Sequence, residues 1–249
     1  MQRKHSTATL LTAVLGLTVC NTSIAEAITH WYFGANFSKT KYEIADVNES
    51  LTFSNATLTT IASTEDENDK SWKIFTGYQL SRYLAIEAAY VNLGNYKQSG
   101  TRNITDLIVF ESSAEDSPST VIDIPGTIEA TLKPKGIEVT GVAISPTLYG
   151  ISVRARAGLL FSDYAARITI TENVPSFDVG ASSFPAFTQV STQSIKSTEI
   201  EMIAGLGVDY RANKDWSLGF HWDRYFDFGN NNTGEGDIDV VGIDISYHY

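Results

Sequence analysis

The chain has 249 residues, with 18 Lys and Arg against 29 Asp and Glu, a formal charge of −11 and a single Cys. An acidic balance of this size is a poor match for nucleic acid, whose phosphates call for a basic footprint, so no nucleic-acid partner is expected. After residue 27 no stretch reaches the roughly 18 consecutive apolar residues of a membrane-spanning helix, while 12 Tyr, 12 Phe and 4 Trp suit a β-rich or membrane-interfacial protein.

Taken in chain order, Met1-Gln2-Arg3-Lys4 is basic, Ala8 to Cys20 is apolar or small, and Ala25-Glu26-Ala27 supplies a cleavage pattern. Residues 1–27 therefore read as a secretory signal peptide removed on export, and residues 28–249 as one β-barrel domain. Val19 before Cys20 is too large for the usual lipid-acylation pattern, so the cysteine is expected to leave with the signal, and with it all thiol chemistry. Removing Arg3, Lys4 and Glu26 leaves 16 basic and 28 acidic residues, a mature charge of −12.

The remainder alternates, as strands do when successive side chains point to opposite faces. Trp31, Phe33, Ala35 and Phe37 oppose Gly34, Asn36 and Ser38. Trp72, Ile74, Thr76, Tyr78 and Leu80 oppose Lys73, Phe75, Gly77 and Gln79, and Leu84, Ile86, Ala88 and Tyr90 oppose Ala85, Glu87, Ala89 and Val91. Ile137, Val139 and Ala143 oppose Glu138 and Thr140; Ile151 to Phe161 carries Arg154 and Arg156 on its polar side. Met202 to Tyr210 carries Asp209, Trp216 to Trp222 carries His221 and Asp223, and Val241 to Tyr249 carries Asp244, Ser246 and His248. These are eight strands.

Their connections alternate in length. Three are short, around Ser81-Arg82, around Pro146-Thr147 and from Arg211 to Asp215; four are long, roughly 43 to 70, 97 to 134, 167 to 198 and 224 to 236. Three short and four long is the count for an eight-stranded antiparallel up-and-down transmembrane barrel, with short periplasmic turns and long extracellular loops. The long segments are rich in Ser, Thr, Asn and acidic residues, as in Asn48-Glu49-Ser50 and Ser63-Thr64-Glu65-Asp66-Glu67-Asn68-Asp69, and read as solvated, mobile loops.

A soluble lipocalin-like barrel would turn the apolar face inward. The polar face argues otherwise: Glu87, Arg154, Arg156, Asp209, His221 and Asp223 can pair in a narrow lumen and would be costly in lipid. The apolar face ends in Trp31, Trp72, Tyr78, Trp216, Trp222, Tyr247 and Tyr249, as expected of aromatic girdles at the membrane interface.

Several of these segments resemble the eight-stranded transmembrane domain of OmpA-like outer-membrane proteins. They are Trp31-Tyr32-Phe33-Gly34-Ala35, Gly77-Tyr78-Gln79 followed by Tyr83 to Tyr90, Gly207-Val208-Asp209-Tyr210, and the ending Gly242 to Tyr249. The resemblance implies outer-membrane residence amid lipid and lipopolysaccharide, and assembly through a last strand ending in aromatic Tyr249, the kind of signal read by the barrel-assembly machinery. It also implies a lumenal gate of carboxylates and basic residues. Glu87, Arg156 and Asp209 match network positions, whereas Val142 and Gly219 stand where a lumenal lysine and a second arginine are expected. The chain ends with its last strand, so no peptidoglycan-binding domain and no cell-wall tether are expected.

Chemical motifs are sparse. His221 and Asp223 share a face but lack a nucleophilic Ser two residues after the His, so neither lipid A deacylation nor proteolysis is expected. The acidic run Glu65 to Asp69 lacks the spacing and glycine of a calcium loop, and His30 and His248 at the periplasmic end lack a third ligand. No catalytic residue, metal or cofactor is expected. The leading expectation is a structural and surface-interaction scaffold whose extracellular loops serve adhesion, host or phage recognition, or envelope integrity; a small gated diffusion pore is the alternative.

Overall fold

The computed structural model describes residues 30–44, 47–53, 56–66, 68–110, 119–230 and 234–249. The expected signal peptide and Cys20 lie outside the described residues, as does Glu67 of the acidic run.

The strands are β1 (His30–Ile44), β2 (Val47–Phe53), β3 (Ala56–Asp66), β4 (Asn68–Ser81), β5 (Leu84–Asn92), β6 (Tyr96–Phe110) and β7 (Ser119–Ile124). They continue as β8 (Gly126–Ile144), β9 (Ile151–Val174), β10 (Phe177–Val179), β11 (Ser182–Phe184), β12 (Phe187–Arg211), β13 (Trp216–Asn230) and β14 (Gly234–His248). Eight of them close a ring in the order β1-β4-β5-β8-β9-β12-β13-β14, with β14 returning to β1 through pairs from Tyr32↔His248 to Ile44↔Gly236. All ring pairings are antiparallel. Closure leaves no sheet edge inside a membrane, the condition hydrocarbon imposes on a β-structure.

Short turns join the strands at one end, and each has a local cause. Tyr149 (φ 53°) and Gly150 (φ 82°) adopt the left-handed region between Leu148 and Ile151, which bond each other's backbone. Two such residues make the primed turn whose twist suits a tight hairpin. Between β12 and β13 the Asn213 side-chain oxygen accepts from the amides of Asp215 and Trp216, both at 2.8 Å. At the β4–β5 turn Ser81 Oγ accepts from the Tyr83 amide at 3.2 Å.

At the other end the connections expected as solvated, mobile loops prove to be largely strand among the described residues. The four long connections lie where the spacing puts them, but most of their backbone is hydrogen-bonded strand. The β1, β4, β5 and β8 hairpins run on as β2, β3, β6 and β7, and β9 pairs with β12 from Ile151↔Tyr210 to Val174↔Phe187. Arg167-Ile168-Thr169-Ile170-Thr171 and Thr188 to Thr192 are rich in the β-branched residues Thr, Ile and Val, which is why they extend the sheet. Beyond Phe161, β9 continues for about 40 Å along the strand at the usual rise per residue.

Along β9 and β12 the outward apolar run, Ile151 to Phe161 and Ile200 to Tyr210, spans about 25 Å along the barrel axis for the usual strand rise and tilt. Phe37 (65%), Ile243 (62%) and Ile74 (60%) are among the many large apolar side chains left exposed. A contiguous apolar wall of this kind is the surface that lipid covers.

Inside the wall, close approach decides residue size. A Cβ on Gly77 would overlap the Tyr32 ring, whereas one on outward-facing Gly141 would meet only the Ala157 carbonyl at 3.9 Å. Gly77→Val is expected to lower barrel stability by about 1–3 kcal/mol through overpacking, with Gly141→Ala nearly neutral. Urea unfolding in lipid vesicles reads the difference; equal midpoints would show that Tyr32 has room to move.

Candidate functional site

Alternation brings one polar side chain from nearly every barrel strand to the axis. Glu87, Arg154, Arg156, Asp209, His221 and Asp223, the residues singled out from the sequence, are all buried inside the ring. They form two connected levels. Toward the periplasmic end Arg154 contacts Glu87 (Nη1–Oε1 3.3 Å) and makes a close ion pair with Asp209. The Tyr32 hydroxyl donates to Glu87 at 2.7 Å, and the Arg154 guanidinium lies 5.6 Å from the Tyr32 ring centre.

Nearer the middle, Asp223 is the hub. Lys73 Nζ (3.4 Å), Arg156 Nη1 (3.3 Å) and His221 Nε2 (3.7 Å) converge on its Oδ2. Lys73 also reaches Glu138 at 3.3 Å, and Arg156 reaches Asp244 at 3.8 Å. His221 lies between Asp223 and Asp244, whose Oδ1 is 3.3 Å from Nδ1 and also accepts from the Asn36 amide at 2.7 Å. The two levels together hold five carboxylates against three Lys or Arg side chains, so the cations are the scarcer partner.

The arrangement adds to the sequence expectation. Val142 does face the lumen where a lysine was expected, but the lumen has its lysine at Lys73, on β4. Arg154, singled out from the sequence, pairs with Asp209, which lies directly across from Gly219. Lys73, Glu138 and Asp244 sit on the polar face of the alternation; what the linear pattern lacks is height, the register that puts residues of distant strands at one level.

Above the network, toward the long hairpins, the lumen is apolar. Tyr42, Leu93, Tyr96, Leu160, Tyr164 and Phe228 form the centre of a buried cluster that also takes in Ile203, Tyr225, Ile238 and Val240. Tyr225 belongs to both layers, since its hydroxyl donates to Glu138 Oε2 at 3.0 Å. Beside the lower level Tyr32 and Phe75 pack edge-on at 6.3 Å. The lumen then opens into a periplasmic vestibule of ≈ 470 Å³ bordered by Arg82, Arg154, Asp209, Arg211 and His248. His248 stacks on Tyr32 (5.4 Å) and bonds Ser217 Oγ (2.9 Å). Among the described residues no three His, Cys, Asp or Glu side chains cluster as a metal site.

The outward aromatics lie in two groups. Trp31 meets Tyr78 (5.0 Å) and Trp216 meets Tyr247 (5.1 Å) near the short turns, with Tyr249 exposed beyond them. Trp72, 5.7 Å from Tyr90, and Trp222, whose indole donates to Asp239 at 3.1 Å, lie toward the long hairpins.

A closed eight-stranded antiparallel ring with an apolar outer wall and a charged, filled interior defines a small transmembrane barrel of the outer membrane. The chain belongs to the family of OmpA-like transmembrane domains, whose model matches residues 26–249. No curated protein matches it. Similar solved structures include Neisserial surface protein A, with 16% identity over 87% of this chain and 96% of that one (TM-score 0.45). Others are Ail of Yersinia pestis bound to the heparin analogue sucrose octasulfate (8%, 89% and 99%, TM-score 0.39) and the N-terminal β-barrel domain of Pseudomonas aeruginosa OprF (12%, 88% and 97%, TM-score 0.35).

Proposed function

We propose that the protein is a surface-interaction scaffold: a sealed barrel anchors it, and the sheet above the membrane recognises a host or phage partner. The observation that carries this reading is the free edge of β12. From Phe187 to Lys196 β12 is paired with β9 alone among the described residues, and its registered pairs with β13 begin at Met202. Thr188 to Ser194 are exposed on both faces and carry no charge and no proline, the devices that usually blunt an edge. Phe187 (53%) and Val190 (62%) add exposed apolar surface, and an unpaired edge of this kind can accept an extended partner segment. In this reading residues 1–27 are removed on export, the strand ending at Tyr249 guides barrel assembly, the two aromatic groups mark the membrane interfaces, and the lumenal network serves stability rather than catalysis.

The test shortens the arm at a registered pair. Excising Arg167 to Ser194 and joining Ala166 to Ile195 through Asn-Gly keeps the barrel strands in register. Cells displaying the shortened protein are expected to lose attachment to epithelial monolayers or phage adsorption while the purified barrel keeps its heat-dependent electrophoretic shift. Attachment and adsorption equal to those of cells with the full arm would sink the proposal.

A further inference from the structure

The lysines of this acidic chain are segregated. Of the nine after residue 27, Lys73 lies in the lumen and Lys214 at a periplasmic turn; Lys39, Lys41, Lys70, Lys97, Lys133, Lys135 and Lys196 are exposed on strands at or beyond the extracellular margin of the apolar wall. Three of them share one groove. The registered row Tyr90, Ile137, Phe161 and Ile200 forms the upper limit of the wall on β5, β8, β9 and β12. Two residues higher stand Asn92, Lys135, Asp163 and Thr198, and two higher again Lys133, Ala165 and Lys196.

The small side chain of Ala165 leaves a gap between Lys133 and Lys196, and the resulting groove of ≈ 330 Å³ is lined by Asn92, Asn95, Lys133, Lys135, Asp163 and Lys196. The side chains of Lys133, Lys135 and Lys196 make no hydrogen bond or ion pair among the described residues. At the usual rise and tilt, Lys135 sits about 5 Å and Lys133 and Lys196 about 10 Å above the apolar limit, the depth of a lipid headgroup layer. Their alkyl stems can lie along the wall with the ammonium groups in that layer.

We propose that this groove binds the phosphorylated headgroup of an outer-leaflet glycolipid of the lipid A type, its acyl chains against Tyr90, Ile137, Phe161 and Ile200. Two facts select this occupant over a soluble anion. The groove is continuous with the lipid-covered wall, and its three ammonium groups oppose one carboxylate on a chain whose mature charge of −12 would repel a polyanion arriving from solution. The site is independent of whatever the β12 edge recognises.

The experiment measures binding of bisphosphorylated lipid A to the full refolded chain in neutral detergent micelles by native mass spectrometry. Each lysine is expected to contribute about fivefold, so Lys133→Gln, Lys135→Gln and Lys196→Gln together weaken binding on the order of a hundredfold. The corresponding triple Arg variant and Lys214→Gln should bind within a few-fold of the parent, and all variants should keep the heat-dependent shift. Single Lys196→Gln supplies the fivefold reading if the triple folds poorly. Equal binding of dephosphorylated lipid A, an unchanged affinity in the Gln variants, or full displacement by millimolar inorganic phosphate would each overturn the proposal.

Discussion

Lys73→Met is expected to destabilise the folded barrel by about 3–5 kcal/mol, because it takes from buried Glu138 the ammonium 3.3 Å away and leaves buried Asp223 with Arg156 and His221 alone. The interior holds more carboxylates than cations, so the effect is asymmetric. Asp209→Asn removes a charge from the side in excess, and Arg154 keeps Glu87 at 3.3 Å, so a loss well below that of Lys73→Met is expected. Urea unfolding in lipid vesicles, followed by tryptophan fluorescence and the electrophoretic heat shift, compares the two. A Lys73→Met barrel as stable as the parent would show that the two acids do not depend on the lysine.

The second large effect concerns the lumen as a path. Breaking the ion pairs with Arg156→Ala or Glu87→Ala is expected to produce no conductance steps in planar bilayers, because the apolar cluster around Leu160, Tyr164 and Phe228 still fills the extracellular half. Eight strands enclose an interior that side chains can fill. Leu160→Ala and Phe228→Ala should each cost about 2–5 kcal/mol through the cavity they leave. Their combination with Arg156→Ala is the variant expected to conduct, since it joins the periplasmic vestibule to the exterior. Steps in the parent, or in Arg156→Ala alone, would remove the cluster as the seal and restore the gated-pore reading.

The faces of the barrel strands were legible in the sequence because alternation is a local property of the backbone. Arg154 and Arg156 two residues apart, or His221 and Asp223, declare an inward side whatever the rest of the chain does. Even Lys73, Glu138 and Asp244 were on that side of the pattern. Their partnership was not readable, because Lys73 and Asp223 are 150 residues apart and meet only through the stagger of the closed ring. The long connections misled for a different reason. Ser, Thr and Asn signal loops when a strand needs a buried face, yet segments such as Arg167 to Thr171 and Thr188 to Ser194 pair in water, where β-branched polar residues serve as well as apolar ones.

By itself, then, the sequence determined that the chain is an eight-stranded barrel with its apolar face outward, since period and turn spacing are fixed residue by residue. Only the tertiary structure decided what fills the lumen and what stands above the membrane. Ring closure and register set which inward side chains share a level, placing an ion network below an apolar plug. The same register aligns Lys133, Ala165 and Lys196 across three strands and leaves Thr188 to Ser194 of β12 with β9 as their one partner strand among the described residues, because both depend on which strand lies beside which.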